Sequence, residues 1–140
     1  MNMLMINTLR ESIYNELNAV HNIAEVFDGI PQKFWGFPSI YFVFDRIEST
    51  VSDSNHHERI YYFQINVFQE TTTLWNVQSE KILCEVIDEI IDRFDRAQLH
   101  EDITYIEAVW GNIQAVETDN GPAFHGMILL GIHVPFTLSL

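Results

Sequence analysis

From Arg59 to Gln69 the chain reads RIYYFQINVFQ, and from Ser79 to Phe94 it reads SEKILCEVIDEIIDRF. The two stretches have different periods. In the first, Tyr61, Phe63, Ile65 and Val67 alternate with Tyr62, Gln64, Asn66 and Phe68, the period of two of a strand. In the second, Leu83, Ile87, Ile90 or Ile91, and Phe94 recur every three or four residues, which puts them on one face of a helix. The opposite face carries Glu85, Asp88, Glu89 and Asp92, and Glu89 to Arg93 and Asp92 to Arg96 have the spacing of i,i+4 ion pairs. An amphipathic helix following an aromatic strand predicts helices laid on a sheet.

Upstream, Ile40, Phe42 and Phe44 alternate with Tyr41, Val43 and Asp45, a second strand over Ser39 to Arg46. Between the two strands, Glu48 to Glu58 holds Ser49, Thr50, Ser52, Asp53, Ser54 and Asn55 and no large aromatic residue, so a polar hairpin loop should project there. Near the start, the first helix has two possible caps, Asn2 and Thr8, of which Thr8 with Glu11 has capping-box spacing, and Leu9, Ile13, Leu17 and Val20 form an apolar helical stripe that Asp28-Gly29 should end. The linker from Gly29 to Pro38 contains Pro31, Phe34, Trp35, Gly36, Phe37 and Pro38. It is too rich in Pro and Gly for regular structure and too aromatic for an idle loop, so its rings either cap the domain's own core or anchor a partner.

Downstream, Thr71, Thr72 and Thr73 offer a cap for the second helix. The last third reads as two strands, Ile103 to Glu117 with a break at Gly111, and Phe124 to Leu138, joined through the turn signal Asp119-Asn120-Gly121-Pro122. Met127 and Leu129 make the second face of the final strand partly apolar, so part of the sheet should be covered on both sides. The expected fold is α+β: two helices packed on a twisted, mainly antiparallel sheet of about four long strands, in the order α-β-β-α-β-β. A single domain over residues 1–140, with a projecting polar loop at about 48–58, is the expected organisation.

Seven basic residues stand against twenty acidic ones, a net charge of −13 and a pI near 4.6. Such a surface repels phosphate, which argues against tight binding of nucleic acid. The single cysteine, Cys84, rules out an internal disulfide, and its apolar neighbours suggest a buried thiol. Met1 to Leu9 lacks a basic region and an unbroken apolar run, so no signal peptide is expected, and Met127 to Phe136 is about half of the ~20 residues a helical membrane crossing needs. His56-His57-Glu58 does not have metal-ligand spacing, and His100-Glu101-Asp102 has no nucleophile beside it. Arginines lie among the carboxylates of the second helix, which favours a solvated acidic face over a catalytic pair. No catalytic, metal or cofactor site is therefore expected.

Taken together, the N-terminal helix, the Ile30-Pro31 to Pro38 approach, the polar hairpin, Phe63 to Phe68, the Ser79 to Asp92 helix and the closing hairpin resemble the tail terminator proteins of long-tailed bacteriophages, also called tail-completion or head-to-tail joining proteins. The resemblance lies in element order and hydrophobic pattern over nearly the whole chain. It implies a virion protein, made in the host cytoplasm, that closes into a homohexameric ring on the end of the tail tube and stops its growth. The other face of the ring would meet head completion or connector proteins at the neck, with DNA passing through the lumen and no membrane involved. Candidate contact residues are Phe34, Trp35, Phe37, Val51, Asp53, Asn55, His56 and His57, and Glu85, Asp88, Glu89 and Asp92 are candidates for an acidic lumen lining. Rival readings are another neck component such as a stopper, a tail-tube relative, a small ligand-binding or enzymatic domain, or an acidic regulatory protein that mimics nucleic acid.

Overall fold

The computed structural model describes residues 4–51, 56–71, 76–97, 99 and 103–137. Among these residues seven elements follow one another: α1 (Leu4–Asn18), β1 (Glu25–Asp28), β2 (Ser39–Val51), β3 (His56–Glu70), α2 (Val77–Arg96), β4 (Tyr105–Thr118) and β5 (Gly121–Thr137). The strands form one mixed sheet in the order β1-β2-β3-β5-β4. The class is α+β as expected, with five strands instead of about four and the order α-β-β-β-α-β-β.

The additional strand comes from the end of the first helix. α1 stops at Asn18 instead of running to Asp28-Gly29, and Thr8 lies inside it instead of capping it. The last turn tightens through Ala19 N–H to Glu16 O (3.2 Å) and Val20 N–H to Leu17 O (3.1 Å), and Asn22 takes a left-handed φ of 61° that redirects the chain. Val26 and Phe27, β-branched and aromatic, then pair in parallel with Ile40 and Tyr41. Glu25 anchors this corner, accepting from Trp35 N–H at 3.0 Å and Ser39 Oγ at 3.0 Å.

β2 and β3 pair from Ser39↔Phe68 out to Val51↔His57, with a bulge between Phe44 and Arg46. The segment read as a polar loop over 48–58 is therefore strand up to Val51 and again from His56, and 52–55 lie outside the described residues. The cap of α2 is Asn76, not the threonine run: its side chain accepts from Gln78 N–H (2.9 Å) and Ser79 N–H (3.3 Å). Thr71 is buried before the helix, and Thr72 and Thr73 are outside the described residues. The expected break in β4 is a bulge between Trp110 and Ile113, and β5 resumes at Gly121, whose φ of 106° suits the two-residue turn Asp119-Asn120.

Both helices lie on one face of the sheet. Leu9, Ile13 and Leu17 of α1 and Leu83, Ile87, Ile90 and Phe94 of α2 join Ile40, Phe42, Phe63, Ile65, Ile128 and Leu130 in one core. Among the described residues no helix is long and apolar enough to cross a membrane.

Candidate functional site

Paired residues of neighbouring strands project to the same side, so the register fixes what the uncovered face presents. Opposite the helices lie Tyr41 and Val43 of β2, Tyr62 to Phe68 at even positions of β3, and His125, Met127, Leu129 and His133 of β5. Tyr105, Glu107 and Val109 of β4 continue that face. Its two ends differ in chemistry.

At one end the linker closes the sheet. β1 and β2 run parallel, so residues 29–38 must travel back along the sheet before β2 begins. Phe34 consequently lies 4.8 Å from Phe68, which also has Tyr41 at 5.7 Å and His125 stacked on it at 4.5 Å and 9°. Phe37, 5.8 Å from Phe34, turns round the end of the sheet beside Ile82 and Val86 of α2. His125 Nε2 donates to Asn66 Oδ1 at 2.8 Å, and burial lowers the pKa of this ring.

Toward the β2–β3 hairpin the same face becomes polar. The Arg46 guanidinium lies 4.1 Å above the centre of the Tyr62 ring and donates to Glu48 (2.9 Å) and to Asp45, whose other oxygen accepts from Gln64 (3.1 Å). The hydrogen bond from Arg46 holds the Glu48 carboxyl below its usual pKa. His133 sits between two carboxylates, with Nδ1 3.0 Å from Glu58 and Nε2 3.3 Å from Glu107. A Cβ at Gly131 would meet Glu107 and Tyr62 at 3.1 Å, so the glycine lets Glu107 reach across β5. The two carboxylates approach opposite ring nitrogens instead of a common point. They staple β3 to β5 and β5 to β4. Among the described residues no group of three or more His, Cys, Asp or Glu side chains is placed to hold a metal ion.

The candidate contact residues do not form one patch. Phe34 and Phe37 are spent on the protein's own packing, whereas Trp35 is 74% exposed with Lys33 Nζ 4.5 Å above its ring. Val51 is 62% exposed near the far end of the sheet, and His57 is half-buried opposite it. The backbone of His56 pairs with Thr137, and Asp53 and Asn55 lie outside the described residues.

The acidic face of α2 also divides. Glu85, Asp88 and Asp92 are exposed, while Glu89 joins the helices. It accepts from His21 N–H at 2.9 Å and pairs with His21 Nδ1 at 3.1 Å and Arg93 Nε at 3.3 Å. Arg93 in turn reaches Glu16 (2.9 Å) and the Ala19 carbonyl just past the end of α1 (2.8 Å), a cap supplied by the neighbouring helix. Partial burial pushes the Glu89 carboxyl up, but its bonds to His21 and Arg93 outweigh this and hold it below the usual glutamate value. Cys84 is half-buried instead of buried, and burial, with the nearby Glu80 charge, raises its thiol pKa, which keeps it a poor nucleophile.

Sequence reading missed the residues at the free edge of the sheet. β4 is the outermost strand beyond β5, and Tyr105 (56%), Val109 (56%) and Trp110 (41%) are exposed there. The signal was available in Tyr105 to Trp110, where apolar residues fall on both faces of a strand.

No family model and no curated protein matches the chain. A virion chain shares the fold. It belongs to the solved virion of a native gene transfer agent (GTA) particle, and it aligns with a TM-score of 0.61 over 96% of this chain and 100% of that one, at 12% identity. The likeness spans both chains and is one of fold.

Proposed function

We propose that this chain is a structural protein of a phage-like virion, and that within it the protein acts as a tail terminator: a ring on the end of the tail tube that ends polymerisation and offers its other side to the neck. The observation that carries the reading is the agreement of fold with a chain of a gene transfer agent virion over the full length of that chain. The chain's own surfaces agree with it. His133 with Glu58 and Glu107, and Glu89 with His21 and Arg93, are engaged in staples and clamps, and exposed apolar groups such as Ile30 and Trp35 in the linker, Val51 on β2, Val77 on α2 and Tyr105, Val109 and Trp110 on β4 lie on separate elements. Separate apolar positions suit a subunit with several neighbours better than a single ligand pocket.

In this reading the action is steric, with no bond made or broken. A tube grows because each layer exposes a surface that the next one matches, and a cap matches that surface while showing a different one outward. Glu85 and Asp92, exposed on the outer side of α2, are the residues to face passing DNA, where like charge prevents adhesion. The test is electron microscopy of the purified protein alone and mixed with polymerising tail-tube subunits. Rings alone and tubes capped at one end are expected. Rings that bind a portal or connector and leave tube growth unchanged would move the protein to another neck position, and lone subunits indifferent to tube ends would refute the reading.

A further inference from the structure

We propose that the groove between α2 and the outer edge of β4 receives an extended, basic segment of a partner protein, which adds to the sheet as a sixth strand. β4 is last in the sheet order, so from Tyr105 to the bulge after Trp110 one side of a regular strand has no strand partner among the described residues. An exposed edge of this length is a template for another strand.

The edge is overhung by a helix whose chemistry selects the occupant. Cys84, Asp88, Ile91 and Asp95 are spaced by four, three and four residues, a single stripe along α2. Cys84, Asp88 and Ile91 line one hollow with Trp110, and Phe94 and Asp95 line the next with Tyr105 to Val109, so the two hollows follow the strand. The walls are apolar and the rim is acidic. Glu85, Asp88 and Asp95 have no cationic partner among the described residues, in contrast to Glu89 and Asp92, which are paired with Arg93 and Arg96. The half-exposed Trp110 indole adds a ring face that a cation can cover.

Spacing fits an added strand. The seven residues from Asp88 to Asp95 span about 10 Å of helix. Alternate side chains of a strand fall about 6.7 Å apart, so cations two to four positions apart in an extended segment reach both carboxylates. A second copy of this chain does not supply such a segment: Arg10, Arg46, Arg93 and Arg96 are already in ion pairs with its own carboxylates, Lys33 covers Trp35, Arg59 lies in β3 between two paired strands, and Lys81 is a single cation on helix α2. Nucleic acid is repelled by the same rim. The inference does not depend on the virion reading, because the groove belongs to the free subunit; of the two carboxylates given a role above, Asp92 lies outside the groove and Glu85 borders its Trp110 hollow.

The test uses the full chain and an eight-residue peptide of alternating arginine and threonine, with alternating glutamate and threonine as control. Calorimetry measures affinity and amide hydrogen exchange locates the peptide. Binding of the arginine peptide, slowed exchange over Tyr105 to Trp110, and affinity about tenfold weaker in Asp88→Asn/Asp95→Asn and in Trp110→Ala are expected. Glu117→Gln/Asp119→Asn, on the distant β4–β5 turn, should change it less than twofold. Equal weakening by both acidic pairs, equal binding of the glutamate peptide, or protection spread away from β4 would each overturn the proposal.

Discussion

The seat of α2 on the sheet is set by one missing methyl group. A Cβ built at Gly126 lies 2.5 Å from Ile87 Cδ1, and the next contacts, Ile87 Cγ1 and Trp110 Nε1, are both at 3.7 Å. Non-bonded carbons sit at about 3.5–4.0 Å, so Gly126→Ala overlaps a single terminal methyl by about 1 Å. Relief comes from turning Ile87 off its rotamer or from lifting α2. Overpacking of this kind costs about 1–3 kcal/mol, and the low end, ~1.5 kcal/mol, applies because the obstructing atom ends a flexible side chain. Ile87→Val removes Cδ1 and costs about 1 kcal/mol by itself. If the two effects were independent, the double variant would lose about 2.5 kcal/mol. Because Ile87→Val abolishes the overlap and leaves Cγ1 in ordinary contact, the double variant should lose only ~1 kcal/mol, a coupling of about 1.5 kcal/mol. Urea unfolding of the four proteins, followed by circular dichroism at two protein concentrations to expose any linkage to assembly, measures it. Additive losses would refute the reasoning, since they would mean that α2 does not rest on Gly126 through this atom.

Three further outcomes follow from the same geometry. His125 has a lowered pKa in the folded state, so as pH falls through the ordinary histidine range the unfolded chain takes up a proton that the folded one refuses; stability should fall there, and His125→Gln should flatten that limb of a urea-midpoint-versus-pH curve. Glu89 is lowered, so its contribution is present above the ordinary glutamate pKa and is lost as pH drops through the lower folded value; Glu89→Gln should lower the urea midpoint at pH 7 and converge with the unmodified protein in strong acid, and a constant gap between them would count against the clamp. Trp35→Ala should change stability by less than about 0.5 kcal/mol, since the ring is largely in water. The same variant should weaken ring formation or tube capping seen by electron microscopy, and unaltered assembly would remove Trp35 from the contact surface.

How far the sequence could be read depended on whether a segment's partner was local. The α2 pattern alone places Leu83, Ile87, Ile90 and Phe94 in the core, and the i,i+4 pairs Glu89–Arg93 and Asp92–Arg96 form at 3.3 and 3.0 Å. β1 was not legible, because Glu25 to Asp28 is four residues long and becomes a strand only when β2 lies beside it, while the apolar stripe of α1 runs on in sequence toward it. The same non-local cause explains the linker. Its aromatic content is required by a parallel connection that crosses an otherwise open sheet face, so Phe34 packs on Phe68 and Trp35 is left outside. Sequence also presented Glu85, Asp88, Glu89 and Asp92 as one face. Glu89 left that set because His21 reaches it from beyond α1, a partner whose proximity only the fold creates.

The two edges of the sheet are unequal, and this bears on the proposed capping role. β1 is four residues long, and α1 runs beside it: Arg10 Nε lies 3.1 Å from Asp28, and Asn7, Glu11 and Tyr14 border Val26 and Phe27. β4 has fourteen residues, and up to its bulge its outer side has no strand partner among the described residues. A sheet with two open edges propagates, since each added strand leaves a new template behind it. A sheet with one receptive edge and one short, flanked edge accepts a neighbour's strand at β4 and offers no second site of its own at β1. That asymmetry suits the proposed cap. It also yields a discriminating experiment: blocking the receptive edge with the arginine-threonine peptide should prevent partner docking in direct proportion to peptide occupancy, while docking that persists on fully occupied protein would show that termination proceeds through another surface.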